Sequence, residues 1–255
     1  VAQEISGTDL SRRIKLEGPD DELKQLADTF DDMLGRLDHA FENQREFIHE
    51  ASHELRNPLA VIRTNLDVVM SDPDADEDEL RSVGEVVGRS AERMSRLVDD
   101  LLVYARHGTR TMRQEDFDLV ELAHDLTEEF SAPAEAADLQ LAIQLPEETL
   151  PVCGDHSAVR RAVANLLANA VRLAPIGSTT TVSADRFDGW NFIAVAAEGP
   201  GIAPENHLRI FQRFWKGDRG AARQEGRSGL GLTIVRQIVE SHGGRVDLAS
   251  DVGRG

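Results

Sequence analysis

The stretch FIHEASHELRNPLAVI, residues 47–62, lies inside a long pattern of apolar residues spaced three or four positions apart. This spacing predicts one long helix that packs against a helical partner. Two consecutive steps of four, from Leu26 to Phe30 to Leu34, break the heptad and predict a junction between two helical modules. The first seam consists of Leu23, Leu26, Phe30, Leu34, Leu37, Phe41, Ile48, Leu55, Leu59, Ile62, Leu66 and Val69.

A second helix is predicted after the acidic segment SDPDADEDE, residues 71–79. Pro73 interrupts the first helix there, and the acids that follow suit the N-terminus of the next one. Two such helices form a hairpin too thin to bury both apolar faces, so we expect a homodimer in which two hairpins make a four-helix bundle. The second seam consists of Leu80, Val83, Val87, Ser90, Met94, Leu97, Leu101 and Tyr104.

The pentapeptide HEASH, residues 49–53, fits the H-E-x-x-H pattern of zinc metalloproteases. On a helix, His49 and His53 would share one face and could bind Zn²⁺, with Glu50 as general base. A protease would also need a third ligand in its own context downstream, whereas Pro58 is expected to kink the helix one turn after His53. The protease is therefore the weaker interpretation.

Composition limits the classes of function. With 255 residues the chain is long enough for two domains, and its net charge of −18 argues against nucleic acid and anionic membrane surfaces as partners. The single cysteine, Cys153, excludes an internal disulfide and suits a reducing compartment. No apolar run approaches the roughly 20 residues that span a bilayer, and no signal-peptide pattern is present. The abrupt first and last residues suggest part of a longer chain.

A second domain is expected from about residue 117 to residue 255, after a polar linker at 108–116. Short β-like stretches alternate there with helical ones, which predicts an α/β arrangement. The predicted strands are 139–145, 179–185 and 191–197, and the predicted helices are 118–130, 155–173 and 229–243. The fold class is thus multidomain, α followed by α+β.

Several patterns in this second domain suit a phosphate ligand. Asn165 and Asn169 lie four apart on one helical face and could bind Mg²⁺ and phosphate-bound water. EGPGI (198–202) predicts a tight turn, and GRSGLGL (226–232) places glycines before a helix N-terminus that could receive phosphate. Each pattern alone also suits capping, packing or an ordinary turn. The segment between the two turns contains Lys216, Arg219, Arg223 and Arg227. It is either a flexible basic lid over an anionic ligand or an ordinary surface loop.

Taken in order, five segments resemble the H, N, G1, F and G2 boxes of two-component sensor histidine kinases. They are FIHEASHELRNPLAVI, NLLANA, EGPGI, IFQRFWKGD and GRSGLGLTIVRQIVESHGG, and residues 9–37 resemble the second half of a HAMP module. The resemblance implies part of a HAMP module at 1–38 and a dimerising phosphotransfer hairpin at 39–107. It also implies an ATP-binding sandwich of the GHKL (Bergerat) type at 117–255, and a parent anchored in the bacterial inner membrane with these residues on its cytoplasmic face.

The resemblance also assigns roles near the H box. The phosphorylated histidine of the family precedes E-L-R-x-P, which corresponds to His53, and the following Glu54 would act as base. Asn57 would orient water for dephosphorylating a response regulator, whose receiver aspartate accepts the phosphoryl group, and Arg213 would stabilise charge during transfer. His49 occupies a position where the family usually has a small residue, so we expect a solvent-facing bystander and a coincidental H-E-x-x-H.

ATP and Mg²⁺ are the implied cofactors. Asn165 would be the Mg²⁺ ligand, Asn169 would lie beside it, and Arg172 would lie near the phosphates where Lys is commoner. The remaining implied nucleotide contacts are Gly199, Gly201, Lys216, Gly229, Leu230 and Gly231.

The G1 box departs from the family pattern D-x-G-x-G because Ala197 stands where the aspartate accepts a hydrogen bond from adenine. A hydrogen bond to a charged group contributes about 1.5–3 kcal/mol, so we expect ATP affinity to fall roughly 10- to 150-fold. Glu198 is one residue away and would point to the other side of a strand. Three alternatives to an active kinase therefore stay open: an impaired member acting as phosphatase or scaffold, a non-enzymatic signalling dimer, and a stand-alone ATPase.

Overall fold

The computed structural model describes residues 13–19, 21–106, 113–217 and 228–253. The chain divides into two compact units, residues 1–63 and residues 64–255. In the described residues, no helix combines the length and the hydropathy needed to cross a bilayer.

Most of the first unit belongs to helix α1, Glu22–Ser71, whose last residues are counted in the second unit; this helix confirms the long helix predicted from the first seam. Asp21 begins it by accepting a hydrogen bond from the backbone N–H of Lys24 at 3.0 Å. Pro58 lies inside the helix and is buried, and the helix continues through it to its last residue.

A short non-helical segment that includes Arg13, Ile14 and Lys15 is bound to the early part of α1. Asp31 accepts hydrogen bonds from the backbone N–H groups of Ile14 at 2.7 Å and Lys15 at 2.9 Å. The Lys15 bond is the largest cause of the lowered pKa of this carboxyl group. Arg13 forms an ion pair with Asp38 at 3.5 Å, so both Asp31 and Asp38 attach the segment to α1.

Much of the first seam remains exposed on the single chain. Between 39 and 69% of the side-chain surface is accessible at Leu23, Leu26, Phe30, Leu37, Phe41, Ile48 and Leu59. Large apolar side chains at helical spacing favour burial against another helix, which agrees with the predicted homodimer.

Helix α2, Glu77–Arg106, confirms the helix predicted from the second seam. A reciprocal capping box begins it, because Asp76 accepts from the Glu79 N–H at 2.8 Å and Glu79 accepts from the Asp76 N–H at 3.3 Å. Leu97 is almost fully buried, with 2% of its surface exposed.

The rest of the second unit is the predicted α/β domain. Numbered in chain order, its elements among the described residues are β1 (Glu115–Asp118), α3 (Leu119–Glu129), α4 (Ser131–Ala136), β2 (Gln140–Gln144), β3 (Pro151–Gly154), α5 (His156–Leu173), β4 (Thr179–Phe187), β5 (Trp190–Ala197) and α6 (Gly231–Ser241), with 3₁₀ turns at Pro204–Asn206 and Arg209–Phe211. All three predicted strands and all three predicted helices are present. Strand β1 begins inside the segment 108–116 that was expected to be linker.

The described part of this domain contains two sheets. Strand β4 is central in a three-stranded sheet, where it pairs in parallel with β2 and antiparallel with β5. Strands β1 and β3 form a separate antiparallel pair. Helices α3 and α5 bury their apolar faces against the larger sheet, and this core contains Leu122, Ala123, Leu126, Val163, Leu167 and Val182.

Helix α5 is fixed at its first turn by a cap and by a histidine. Asp155 accepts from the Ala158 N–H at 3.0 Å and from the Ser157 hydroxyl at 2.6 Å. The Asp155 N–H donates to Nε2 of His242 at 3.0 Å, while Nδ1 of that ring lies 2.7 Å from the carbonyl oxygen of Ile238. The two bonds require the neutral tautomer protonated on Nδ1, and they join the end of α6 to the start of α5.

Candidate functional site

His53 lies on the exposed surface of α1. Its ring contacts the ring of His49 edge to face, with centroids 4.5 Å apart and planes at 68°. His49 is exposed, as expected for a bystander, but the contact shows that it borders the candidate phospho-acceptor. The i, i+4 spacing, which puts both histidines on one face of a helix, predicted this proximity.

The remaining H-box residues follow on the same helix. Glu54 is half-buried directly after His53, and Asn57 is exposed one turn later, where i, i+4 spacing places it on the His53 face. Across the described ranges, no group of three or more His, Cys, Asp or Glu side chains could hold a metal ion. That part of the chain therefore offers no third protein ligand to the histidine pair.

The two N-box asparagines face the first residue of α6. The Asn165 amide nitrogen donates to the carbonyl oxygen of Gly231 at 3.4 Å. A Cβ added at Gly231 would lie 3.9 Å from Nδ2 of Asn169. Arg172 in turn donates to the amide oxygen of Asn169 at 2.6 Å. The structure thus brings together the N and G2 boxes, which are far apart in sequence.

The glycine-rich loop before α6 needs glycine at one position. Gly229 has a φ of +71°, and a Cβ there would lie 2.6 Å from Cα of Phe214 in the F box. The next residue, Leu230, is fully buried, and its N–H donates to the Ser228 hydroxyl at 3.1 Å. The F box and the glycine-rich loop are therefore in direct contact.

Arg213 of the F box lies near helix α2. Its guanidinium carbon is 6.0 Å from the centre of the Tyr104 ring, within cation–π range. Lys216 is half-buried in the same segment. The other members of the expected basic lid, Arg219, Arg223 and Arg227, lie outside the described residues.

The G1 turn packs against the C-terminal part of the described chain. Gly201 has a φ of +69°, and a Cβ there would lie 1.9 Å from the carbonyl oxygen of Asp251. The Gly253 N–H donates to the carbonyl oxygen of Pro200 at 2.9 Å. Gly199 precedes this contact in the same turn. Steric crowding thus explains the glycine at position 201.

Ala197, at the departure from the family pattern, lies opposite Thr180 in the β4–β5 ladder. Directly opposed residues of an antiparallel pair have their side chains on the same face. Thr180 is fully buried, and its hydroxyl has no hydrogen-bond partner. A buried hydroxyl of this kind lacks the acceptor that an aspartate at position 197 would provide.

The described residues therefore suit the phosphate groups of ATP with Mg²⁺ better than they suit the adenine base. The residues expected to contact phosphate lie together, since Asn165 and Asn169 are next to Gly231 and Arg172 donates to Asn169. Where the resemblance places the adenine contact, Ala197 offers no carboxylate and the Thr180 hydroxyl opposite it has no hydrogen-bond partner.

Three family models match the chain in order. Residues 1–39 match the HAMP domain, and residues 43–110 match the His Kinase A (phospho-acceptor) domain. Residues 154–255 match the histidine kinase-, DNA gyrase B- and HSP90-like ATPase.

Curated relatives match along almost the whole chain. Sensor protein CutS of Streptomyces coelicolor is 37% identical over 256 residues, covering 100% of this chain and 61% of CutS. The signal transduction histidine-protein kinase/phosphatase MprB of Mycolicibacterium smegmatis is 34% identical over 255 residues, covering 97% of this chain and 50% of MprB. The chain thus spans between 50% and 61% of the length of these relatives.

Among solved structures, histidine kinase ThkA in complex with response regulator protein TrrA has a TM-score of 0.67 and 21% identity. The match covers 81% of this chain and 57% of that one. It shows that the helical hairpin followed by an α/β ATPase-type domain is a known fold.

Proposed function

Because this chain belongs to the HAMP-containing sensor histidine kinases of two-component systems, we propose that it uses ATP to phosphorylate its own His53. The observation that carries the proposal is the meeting of Asn165, Asn169 and the glycine-rich loop at the start of α6. An exposed histidine in the matched phospho-acceptor region provides the second half of the reaction.

His53 would be the nucleophile. ATP supplies the γ-phosphoryl group, and Mg²⁺ would neutralise phosphate charge when both are bound. The unprotonated ring nitrogen of His53 forms the bond to phosphorus as the bond to the β-phosphate oxygen breaks, and ADP leaves. Glu54, as base, would hold the imidazole in the tautomer with that nitrogen free.

The nucleotide side would be held by residues of α5 and of the loop before α6. Asn165 uses its amide nitrogen for Gly231, which leaves its amide oxygen for Mg²⁺. Arg172, positioned through Asn169, would neutralise phosphate charge. Arg213 would stabilise charge during transfer, and further phosphate or base contacts would come from Gly199, Gly201, Lys216, Gly229, Leu230 and Gly231.

The phosphoryl group would then pass from His53 to an aspartate on the receiver domain of a response regulator. Two findings support such partners: a match to the phospho-acceptor domain, and a solved kinase of the same fold bound to a response regulator. The exposed seam of α1 supports a homodimer. Asn57 would orient water for regulator dephosphorylation, and the relative MprB is named a kinase/phosphatase.

The HAMP match supports a parent chain anchored in the bacterial inner membrane by segments outside these residues. The residues described here would then lie at its cytoplasmic face.

A second function is favoured by Ala197. With no carboxylate opposite Thr180, the base side of the pocket is incomplete, and the chain would act as a regulator phosphatase or signalling scaffold with weak ATP binding.

Incubation with γ-labelled ATP and Mg²⁺ separates the two functions. The kinase predicts label on the unchanged chain that is lost in His53→Gln. Label that appears only after Ala197→Asp would show an intact acceptor with an impaired nucleotide site. No label on either the unchanged chain or Ala197→Asp would reject the kinase.

A further inference from the structure

The last turns of α2 contact the phosphate side of the nucleotide domain at two points. Asp100 and Tyr104 are four residues apart, so they share one face of α2. Asp100 accepts hydrogen bonds from Ser228 at 2.8 Å and from Arg161 of α5 at 3.2 Å, while Tyr104 lies 6.0 Å from the Arg213 guanidinium. The Asp100 side chain is only 18% exposed, so its interaction with Arg161 is shielded from most of the solvent.

Ser228 connects Asp100 to the glycine-rich loop. A hydroxyl has one proton, and Ser228 donates it to Asp100. The same oxygen accepts from the Leu230 N–H at 3.1 Å. Asp100 thereby holds the serine in the orientation that occupies the Leu230 N–H.

The occupied N–H is one that a bound phosphate would require. Amide groups in a glycine-rich loop at a helix N-terminus bind phosphate oxygens by donating to them. A phosphate oxygen and the Ser228 hydroxyl would therefore compete for the Leu230 N–H. The Asp100 carboxylate also carries the same sign of charge as a phosphate, and Arg161 balances it only in part.

We propose that Asp100 is a positioning residue that closes the glycine-rich loop through Ser228 and opposes nucleotide binding until the contact opens. The inference rests on the proposed function, because it assumes that phosphate binds at this loop. Coupling between sites is reciprocal, so nucleotide binding would weaken the contact between α2 and the loop by the same factor that this contact weakens nucleotide binding. Arg213, which α2 holds through Tyr104, would be released in the same step.

The test compares Asp100→Asn with Asp99→Asn, a matched control on the exposed face of the same helix. Both variants lose one negative charge, but only the first weakens the bond to Ser228. Calorimetric titration with Mg²⁺ and a non-hydrolysable ATP analogue should show about 3- to 10-fold tighter binding for Asp100→Asn, the range expected for one hydrogen bond. Asp99→Asn should bind like the unchanged chain.

Ser228→Ala removes the competing hydroxyl without changing charge. It should also tighten binding, and the double variant with Asp100→Asn should bind no tighter than the stronger single variant, because both changes open one contact. Thermal unfolding of each sample checks that the fold is intact. If Asp100→Asn does not fold, the nucleotide affinity of Ser228→Ala tests the proposal by itself.

Equal affinities for Asp100→Asn and Asp99→Asn, or weaker binding by Ser228→Ala, would overturn the role of Asp100. All titrations are repeated with Ala197→Asp added, which restores the missing acceptor. If nucleotide binds to none of these variants, the proposed function fails and the role of Asp100 fails with it. If nucleotide binds but Asp100→Asn does not change the affinity, the role of Asp100 is rejected without affecting the proposed function.

Discussion

Thr180 is buried, and its hydroxyl oxygen has no hydrogen-bond partner. A buried group without a partner costs about 1–3 kcal/mol, because it loses its hydrogen bonds to water. Its position opposite Ala197 suggests why the cost exists: the facing strand offers a methyl group in place of an acceptor. Two residues that are unremarkable separately thus define one incomplete polar pair.

We predict that Thr180→Val stabilises the protein. The side chains are similar in size, and the change removes the unpartnered hydroxyl, so urea unfolding should show a gain of about 1–2 kcal/mol. Thr181→Val, a neighbouring and half-buried position, is the control and should change stability less. In an Ala197→Asp background the benefit of Thr180→Val should vanish or reverse, since the hydroxyl would then have an acceptor. A loss of stability in the unchanged background would contradict this account.

At the scale of elements, the sequence predicted the long helices best. Helices α1 and α2 follow long series of apolar residues spaced three or four positions apart, so even their ends were close to the predicted ones. Strands β1 and β3 were missed because each has only four residues and pairs mainly with the other, which leaves no local alternation to detect.

The candidate site was predictable in part, for a physical reason. Asn165 and Gly231 belong to local patterns, so sequence pointed to both. The bond between Asp100 and Ser228 joins residues 128 positions apart, and neither belongs to a pattern that names the other. Such a contact depends on how whole elements pack, so only the structure revealed it.

Helix α5 should be sensitive to acid through its cap. The Ser157 hydroxyl is the largest cause of the lowered pKa of Asp155, burial opposes it, and the Ala158 N–H lowers it further. A carboxyl whose pKa is lowered by folding stabilises the protein above its unfolded pKa of about 3.9, and this stability is lost as pH falls through the lower folded value.

We therefore predict that Asp155→Asn nearly preserves the helix cap but changes how the free energy of unfolding depends on pH. Asn caps helices about as well as Asp but does not titrate, so its stability relative to the unchanged chain should rise as pH falls below about 4. Asp155→Ala should cost about 1 kcal/mol at neutral pH. Urea unfolding at a series of pH values measures both, and a constant difference between the Asn variant and the unchanged chain would refute the titration.

At the scale of the whole molecule, the exposed seam predicts self-association. Leu66 belongs to the seam and is 42% exposed, whereas Val68 is 65% exposed and lies off it. Leu66→Lys places a charge in the expected interface and should shift the protein from dimer towards monomer in sedimentation experiments. Val68→Lys should leave the dimer intact. If both variants remain dimeric, the seam is not the dimer interface.

The continuity of α1 has a geometrical consequence for His53. The helix contains 50 residues and is about 75 Å long, and the HAMP-matched residues from Glu22 onward lie on it together with His53, the proposed phospho-acceptor. Each inserted residue turns everything after it by about 100° and advances it by about 1.5 Å. One residue inserted near position 44 would therefore point His53 in a new direction, whereas seven would restore it to within about 20°. The direction in which His53 points around the helix axis thus depends on the number of residues before it as much as on their identity.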